Sequence, residues 1–211
     1  MDKRTLKQKS KSTKLKVAIT GNIGSGKSTF AKFIQGLGYP LVYSDDISKD
    51  ILAHDSATRT EIVKAFGAQS YHGDEINTKY IADLVFSDPK NLRRINSILH
   101  PRVQKKLGKI LDELLKTSKI VFVEAALIYE AKIEKMFDFI VLITADKEIR
   151  MKRYISDKGS SQEDFINREK NQSPQEIKQK RADFIFSNNG STAELKQKAG
   201  LLTKILEASL E

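Results

Sequence analysis

Along the chain, apolar residues gather in two recurring patterns. Some form short unbroken runs, as in strands buried on both faces; others return every third or fourth position, as on helices with one apolar face. Lys16-Val17-Ala18-Ile19-Thr20, closed by Gly21, predicts a first buried strand. A helix is predicted from about Lys27 to Leu37, where Phe30, Phe33, Ile34 and Leu37 share a face and Gly36 and Gly38 supply the stop. Pro40-Leu41-Val42-Tyr43 reads as a second strand. From Asp46 to Lys116 only helical spacings recur: Ile47/Ile51, Ile62/Phe66, Ile81/Leu84/Val85, then a long series from Leu92 to Leu114. His100-Pro101 interrupts that series, and because the residue before proline disfavours helical backbone, two helices or one kinked helix are expected. The strand pattern resumes at Ile120-Val121-Phe122-Val123, at residues 139–144 and at Phe184-Ile185-Phe186. Asn188-Asn189-Gly190 then marks a turn, and residues 195–206 a terminal amphipathic helix.

Strands alternating with helices imply an α/β fold with a parallel sheet and helices on both faces, since parallel strands need crossover connections. The expected organisation is a core of residues 17–50, 117–145 and 183–211, interrupted by a helical insertion over 51–116. Residues 146–182 are charged, contain Gly159, paired serines and Pro174, and have few large apolar side chains. They are expected to be a mobile helical hairpin, the kind of segment that serves as a lid.

Composition narrows this picture. At 211 residues, with 39% apolar and 30% charged positions, the chain suits one domain of ordinary size with insertions. No apolar run approaches the roughly 18 residues that would suggest a membrane span. There is no cysteine, which excludes disulfides, thiolate metal sites and cysteine nucleophiles and fits a reducing, cytoplasmic setting. Any metal must sit on oxygen or histidine.

The net charge of +10 is unevenly spread. Residues 1–16 carry seven basic side chains against Asp2 and only Leu6 and Leu15 as large apolar residues; with no apolar core of a secretory signal, they are expected to be a disordered tail, either solvated or a polyanion-binding arm. Residues 90–119 hold nine basic side chains against Asp112 and Glu113. That block is either the solvated face of a long helix or a surface that receives an anionic ligand.

The sharpest chemical signal is Gly21-Asn22-Ile23-Gly24-Ser25-Gly26-Lys27-Ser28, a complete G-x-x-x-x-G-K-[ST] phosphate loop with a strand before it and a helix after it. Glycines let successive N–H groups turn toward phosphate oxygens, and the helix start adds partial positive charge at the same place. Lys27 should reach the β- and γ-phosphates, and the Ser28 hydroxyl is placed to ligate Mg²⁺. The chain is therefore expected to bind a nucleoside triphosphate. Acidic groups in Tyr43-Ser44-Asp45-Asp46-Ile47-Ser48 follow the second strand, at the sheet edge where open α/β sheets bind ligands. A carboxylate there can accept the proton of an attacking hydroxyl; alternatively, Ser44 or Asp45 caps the next helix.

At this point the chain resembles the dephospho-coenzyme A kinase family. Ile19-Thr20 with the phosphate loop through Thr29 is similar to that family's nucleotide loop, and Ser44-Asp45-Asp46-Ile47-Ser48 resembles its D-A-D-x-I-A segment from the second Asp onward. Val85-Phe86-Ser87-Asp88, Leu99-His100-Pro101, Leu127-Ile128-Tyr129-Glu130, Ala182-Asp183-Phe184 and Asn188-Asn189-Gly190 resemble its later elements in order, so that the likeness spans residues 17–195. The resemblance implies a P-loop NTPase-type sheet with a helical substrate-binding insertion and a helical lid, and ATP-dependent phosphorylation of the ribose 3′-hydroxyl of dephospho-coenzyme A, with Mg²⁺. It implies Asp45 as the base and Lys27 and Arg153 as further catalytic groups. ATP would be bound by Asn22, Ile23, Gly24, Ser25, Gly26, Lys27, Ser28, Thr29, Arg153 and Asn188, the last near the adenine. Thr20, Asp45, His100 and Arg168 would face the acceptor, whose pyrophosphate would account for the basic block around His100.

Three departures stand out. Tyr43 replaces the first Asp of D-A-D, Thr78 replaces an arginine, and Glu124-Ala125-Ala126 replaces Asp-[IV]-Pro, so that Glu124 would meet Mg²⁺ differently, through water. His54 and His72 carry no motif. Two other readings stay open: another P-loop kinase acting on a nucleoside or nucleotide, and a nucleotide-regulated nucleic-acid-binding protein. The last has only 8% aromatic residues, no tryptophan and no recognisable RNA or DNA module behind it. Oligomeric state is not encoded in any pattern of the sequence.

Overall fold

Three strands carry side chains that are buried almost without interruption, which is why the sequence shows runs rather than alternation. They are β1 (Leu15–Thr20), β5 (Ile120–Glu124) and β6 (Phe139–Thr144). With β2 (Leu41–Tyr43) and β7 (Phe184–Ser187) they form a sheet of order β2-β5-β1-β6-β7. Strand β1 runs parallel to β5 and to β6, placing Val17 opposite both Phe122 and Phe139, and β7 runs parallel to β6. The computed structural model describes residues 13–210. They divide into one unit that contains most of this sheet, running to Val42 and resuming at Leu111, and a second spanning Tyr43–Ile110.

In the first unit, helix α1 (Lys27–Gly36) buries Phe30, Ala31 and Ile34, and the C-terminal helix Thr192–Glu207 buries Leu195, Ala199, Leu202 and Leu206. Both apolar stripes join Val17, Ile19, Phe122, Val141 and Ile143 in a single core. Phe30 stacks on Phe186 with ring centroids 5.6 Å apart.

The basic tail was expected to extend through residue 16, but Leu15 and Lys16 belong to β1. Leu15 is fully buried opposite Ile120, and Lys16 donates its backbone N–H to Asp138 at 2.7 Å while its ammonium meets Asp112 at 2.8 Å. One apolar side chain with a place in the core outweighs the polarity of its neighbours. Residues 1–12 lie outside the described residues, and the expectation for them goes no further.

Residues 146–182 are helical, as expected: Lys147–Lys158 and Gln162–Lys170 pack together, Tyr154 against Phe165, and a short third helix, Gln175–Gln179, follows. Burial pins them: Phe165 and Lys178 are fully covered and Arg150 nearly so. A search for apolar stripes misses such anchoring, because two of the three anchors are cations.

The second unit is helical, as expected, with Ser44–His54, Ser56–Phe66, Thr78–Ser87 and most of the long helix Pro89–Thr117. Ile47, Ile51, Ile62, Phe66, Ile81, Ile95, Leu99, Val103 and Leu107 are among its buried apolar residues. One difference from expectation appears. An antiparallel pair, β3 (Tyr71–His72) and β4 (Glu75–Ile76), sits where no strand was expected, too short to leave a periodic pattern; the left-handed Gly73 lies between its strands. Of the two alternatives expected at His100-Pro101, the structure has the single helix, with Pro101 inside it. Beside the proline, the Arg102 guanidinium donates to the Ile98 carbonyl at 2.7 Å. The basic block is partly neutralised within this unit: Arg102 pairs with Glu61 at 2.5 Å, and Lys106 pairs with Asp50. Among the described residues no helix is long and apolar enough to cross a membrane.

Candidate active site

Strand β1 delivers the chain into the phosphate loop at Gly21, and the fit leaves no room for a side chain at the loop's glycines. A Cβ on Gly24, whose φ is +75°, would lie 2.2 Å from the Arg150 carbonyl oxygen; one on Gly26, at φ +90°, would lie 2.2 Å from the Asn188 amide nitrogen. Helix α1 starts directly after. Its first bond runs from the Phe30 N–H to the Gly26 carbonyl at 3.0 Å, and no side chain caps it. The N–H groups of its opening turn therefore lack helical acceptors, which makes this turn an anion site together with the helix dipole.

Charge is concentrated beside that turn. The Lys27 ammonium lies 3.3 Å from the carboxylate of Glu124, the last residue of β5, and the two side chains are 17% and 5% exposed. Ser28 and Thr29 lie in the opening turn of α1, and both are exposed. The buried Thr20 hydroxyl donates to the Ala126 carbonyl at 3.5 Å.

The loop's backbone is gripped from outside. The Asn188 amide donates to the Ser25 carbonyl at 2.8 Å, and Arg153 donates to the Asn188 carbonyl at 2.9 Å. The Ile23 N–H donates to the Gln172 side-chain oxygen at 2.8 Å, the Ile23 carbonyl accepts from Arg150 at 3.2 Å, and the Asn22 amide donates to the Ser173 carbonyl at 3.1 Å. Behind this, Glu130 accepts the Ser173 N–H at 2.6 Å and pairs with Lys178 at 3.2 Å. Burial pushes the Lys178 ammonium below its ordinary range, against the pull of Glu130. Arg150 continues to Glu169 at 2.6 Å, which also meets Lys147 at 2.8 Å. Burial raises the Glu169 carboxyl, but these two cations outweigh it and hold the group below its ordinary value.

Of the residues singled out from sequence, the structure brings together Asn22, Ile23, Gly24, Ser25, Gly26, Lys27, Glu124, Arg153 and Asn188 in the first unit. Asn188 is committed to the loop's backbone through its side chain. Arg168 lies on the helix Gln162–Lys170 and is exposed to solvent. Asp45 and His100 belong to the second unit. Asp45 is exposed in the first turn of Ser44–His54, two residues past β2. That helix has Tyr43 at its N-cap position and no side-chain cap, so neither Ser44 nor Asp45 caps it. His100 is half-buried within the long helix. His54 lies 3.0 Å from Asp50, and His72 bonds Asn77 at 2.8 Å. Sequence reasoning missed Arg150, Gln172 and Ser173, which bond the loop from 127, 149 and 151 positions away, and Lys178, which pairs with Glu130 behind them. Only Glu130 carried a signal, as the end of a family-like segment without a role.

The geometry is that of a phosphate loop braced for a triphosphate, and the relatives agree. A model of the dephospho-CoA kinase family matches residues 15–194. The chain belongs to the dephospho-CoA kinase family. A dephospho-CoA kinase from Thermus thermophilus is 34% identical over 181 residues, 86% of either chain. The solved dephospho-CoA kinase from Campylobacter jejuni is 26% identical with a TM-score of 0.69, covering 90% of this chain and 96% of that one. Shikimate kinase from Acinetobacter baumannii, 16% identical with a TM-score of 0.53 and covering 98% and 99%, shares the fold alone. The α/β P-loop kinase fold expected from the sequence is thus the fold observed.

Dephospho-CoA kinases use ATP, and a magnesium ion fits the donors present here. Ser28 and Glu124 offer hard oxygen ligands beside the anion site, and among the described residues no group of three or more His, Cys, Asp or Glu forms a cage. Oxygen donors of this kind are those that Mg²⁺ takes, with the remaining positions left to substrate phosphates and water.

Proposed function

We propose that this dephospho-CoA kinase transfers the γ-phosphoryl group of ATP to the ribose 3′-hydroxyl of dephospho-coenzyme A, releasing coenzyme A and ADP. This is the closing step of coenzyme A biosynthesis. The observation that carries this reading is the complete phosphate loop, braced and opening onto an uncapped helix, in a chain matched to the family from residue 15 to 194.

The chemistry asks little covalent work of the protein, since phosphoryl transfer depends on positioning and charge neutralisation. The N–H groups of Gly26 to Thr29 cradle the phosphates. Lys27, held off solvent by Glu124, follows the charge that develops on the transferring group. Arg153, and Arg168 from the helix Gln162–Lys170, offer planar donors suited to charge spread over equatorial oxygens. Asp45 takes the proton of the 3′-hydroxyl from an exposed position in the first turn of its helix. Ser28, with Glu124 through water, would hold Mg²⁺, which when bound neutralises the β- and γ-phosphate oxygens. The helical residues 51–116, with His100, receive the acceptor; residues 146–182 cover the nucleotide. A cytoplasmic setting fits ATP as donor and a chain without cysteine.

Asp45→Asn tests the base. ATP binding is expected to stay near wild type while turnover falls by roughly 10² or more. Unchanged turnover, followed as ADP release, would remove Asp45 from the mechanism.

A further inference from the structure

Three contacts converge on two residues of the phosphate loop that contribute neither its lysine nor its glycines. Ile23 is held at both its N–H, by Gln172, and its carbonyl, by Arg150; Asn22, 2% exposed, is held by the Ser173 carbonyl. Gln172 and Ser173 follow the helix Gln162–Lys170 closely and belong to no helix or strand, so something else must fix them. That something is Glu130, whose carboxylate takes the Ser173 N–H at 2.6 Å and the fully buried Lys178 ammonium at 3.2 Å. Lys178 closes the arrangement on the Ala126 carbonyl at 3.4 Å, the same carbonyl that accepts the Thr20 hydroxyl at the end of β1.

Such a cluster is poorly explained as a device for stability. A buried ion pair contributes little net stabilisation against an apolar pair of the same volume, and the second carboxylate oxygen of Glu130 is buried with no hydrogen-bond partner, which costs rather than stabilises. What the pair does achieve is direction: one carboxylate aims the Ser173 backbone, and Ser173 with its neighbour Gln172 aims the loop.

We propose that Gln172 and Ser173, anchored by the Glu130–Lys178 pair, form a clamp that sets the Asn22–Ile23 limb of the phosphate loop, making Gln172, Glu130 and Lys178 positioning residues for ATP. The Ile23 N–H is spent on Gln172 rather than offered to phosphate, so the clamp works by holding the loop's shape for the N–H groups that follow. It rests on the proposed function for its bearing on turnover, while its direct readout, ATP affinity, does not need the acceptor.

The test uses the full-length protein: ATP with Mg²⁺ titrated into wild type, Gln172→Ala, Glu130→Gln and the double variant, with steady-state kinetics and melting temperatures alongside. Each single variant is expected to weaken ATP binding by roughly 3- to 10-fold, the scale of one lost hydrogen bond. The KM for ATP should rise and the KM for dephospho-CoA should not. Because both changes act through one contact chain, the double variant should lose little beyond the worse single variant. Gln172 is partly exposed and belongs to no helix or strand, so Gln172→Ala should melt close to wild type, which separates positioning from a folding defect. Should Glu130→Gln not fold, Glu130→Gln/Lys178→Met removes both charges and takes its place. Wild-type ATP affinity in Gln172→Ala, or losses that multiply fully in the double variant, would overturn the clamp. Wild type that binds ATP but does not phosphorylate dephospho-CoA would overturn the function and leave the clamp to be judged on affinity alone.

Discussion

Gly24 shows how tightly single residues are specified around the loop. Its φ of +75° disfavours any side chain, and the atom a Cβ would strike is a backbone carbonyl, that of Arg150, which cannot swing aside. Gly24→Ala should therefore weaken ATP binding by about tenfold or more, read by titration, whereas glycines with open surroundings such as Gly36 should tolerate alanine. Glu169 gives a pH prediction. Its carboxyl is raised by burial and lowered more by Lys147 and Arg150, so the folded value lies below the unfolded one. On acidification the unfolded chain takes up this proton first. The stabilisation is whole above the ordinary carboxylate range and is lost as pH falls toward the depressed folded value. Urea midpoints measured down the acid side should fall more steeply for wild type than for Glu169→Gln; parallel curves would show that the carboxylate is not coupled to folding. The sequence made the loop residues legible because their spacing is itself the chemistry. Arg150 and Gln172 were not legible, since their partners are backbone atoms far away in the chain.

At the scale of elements, the strands were readable wherever burial on both faces produced a continuous apolar run, as in β1, β5 and β6, and helices wherever one face was apolar. The boundaries failed where a single side chain decided. Leu15 extends β1 into the basic tail, and β3 with β4 is too short to show alternation. At Pro101 the sequence left two helices or one open, and the single helix is the outcome because its face, from Ile95 to Leu107, is buried on both sides of the proline. In the segment 146–182 the helices were readable but their buried anchors were not, because these include Arg150 and Lys178, which any hydrophobicity scale places outside. Phe122, fully buried at the centre of β5 and edge-on to Tyr39 at 5.6 Å, tests the packing. Phe122→Ala is expected to cost about 3–5 kcal/mol, seen as a lower denaturant midpoint at unchanged slope. A loss below about 1 kcal/mol would mean that this layer of the core is not packed as described.

For the whole molecule, a general α/β frame became a particular enzyme through features scattered over the chain. The phosphate loop, the acidic segment after β2, the His-Pro in the long helix and the Asn-Asn-Gly turn were each readable alone, and their order pointed to one family. The net charge of +10 pointed elsewhere. The structure shows part of the basic block to be internally paired, with Arg102 and Lys106 matched by Glu61 and Asp50. Charge totals describe a chain and not a surface, so nucleic-acid binding gains nothing from them. The most direct test of the central claim is phosphate transfer itself. Wild type and Lys27→Ala are incubated with ATP, Mg²⁺ and dephospho-CoA, with nucleosides as competing acceptors, and the products are read by mass. Wild type is expected to add one phosphate to dephospho-CoA and none to the nucleosides, with a stoichiometric release of ADP, and Lys27→Ala to lose this turnover by roughly 10² or more. ATP consumed without a phosphorylated dephospho-CoA, or a nucleoside preferred as acceptor, would contradict it.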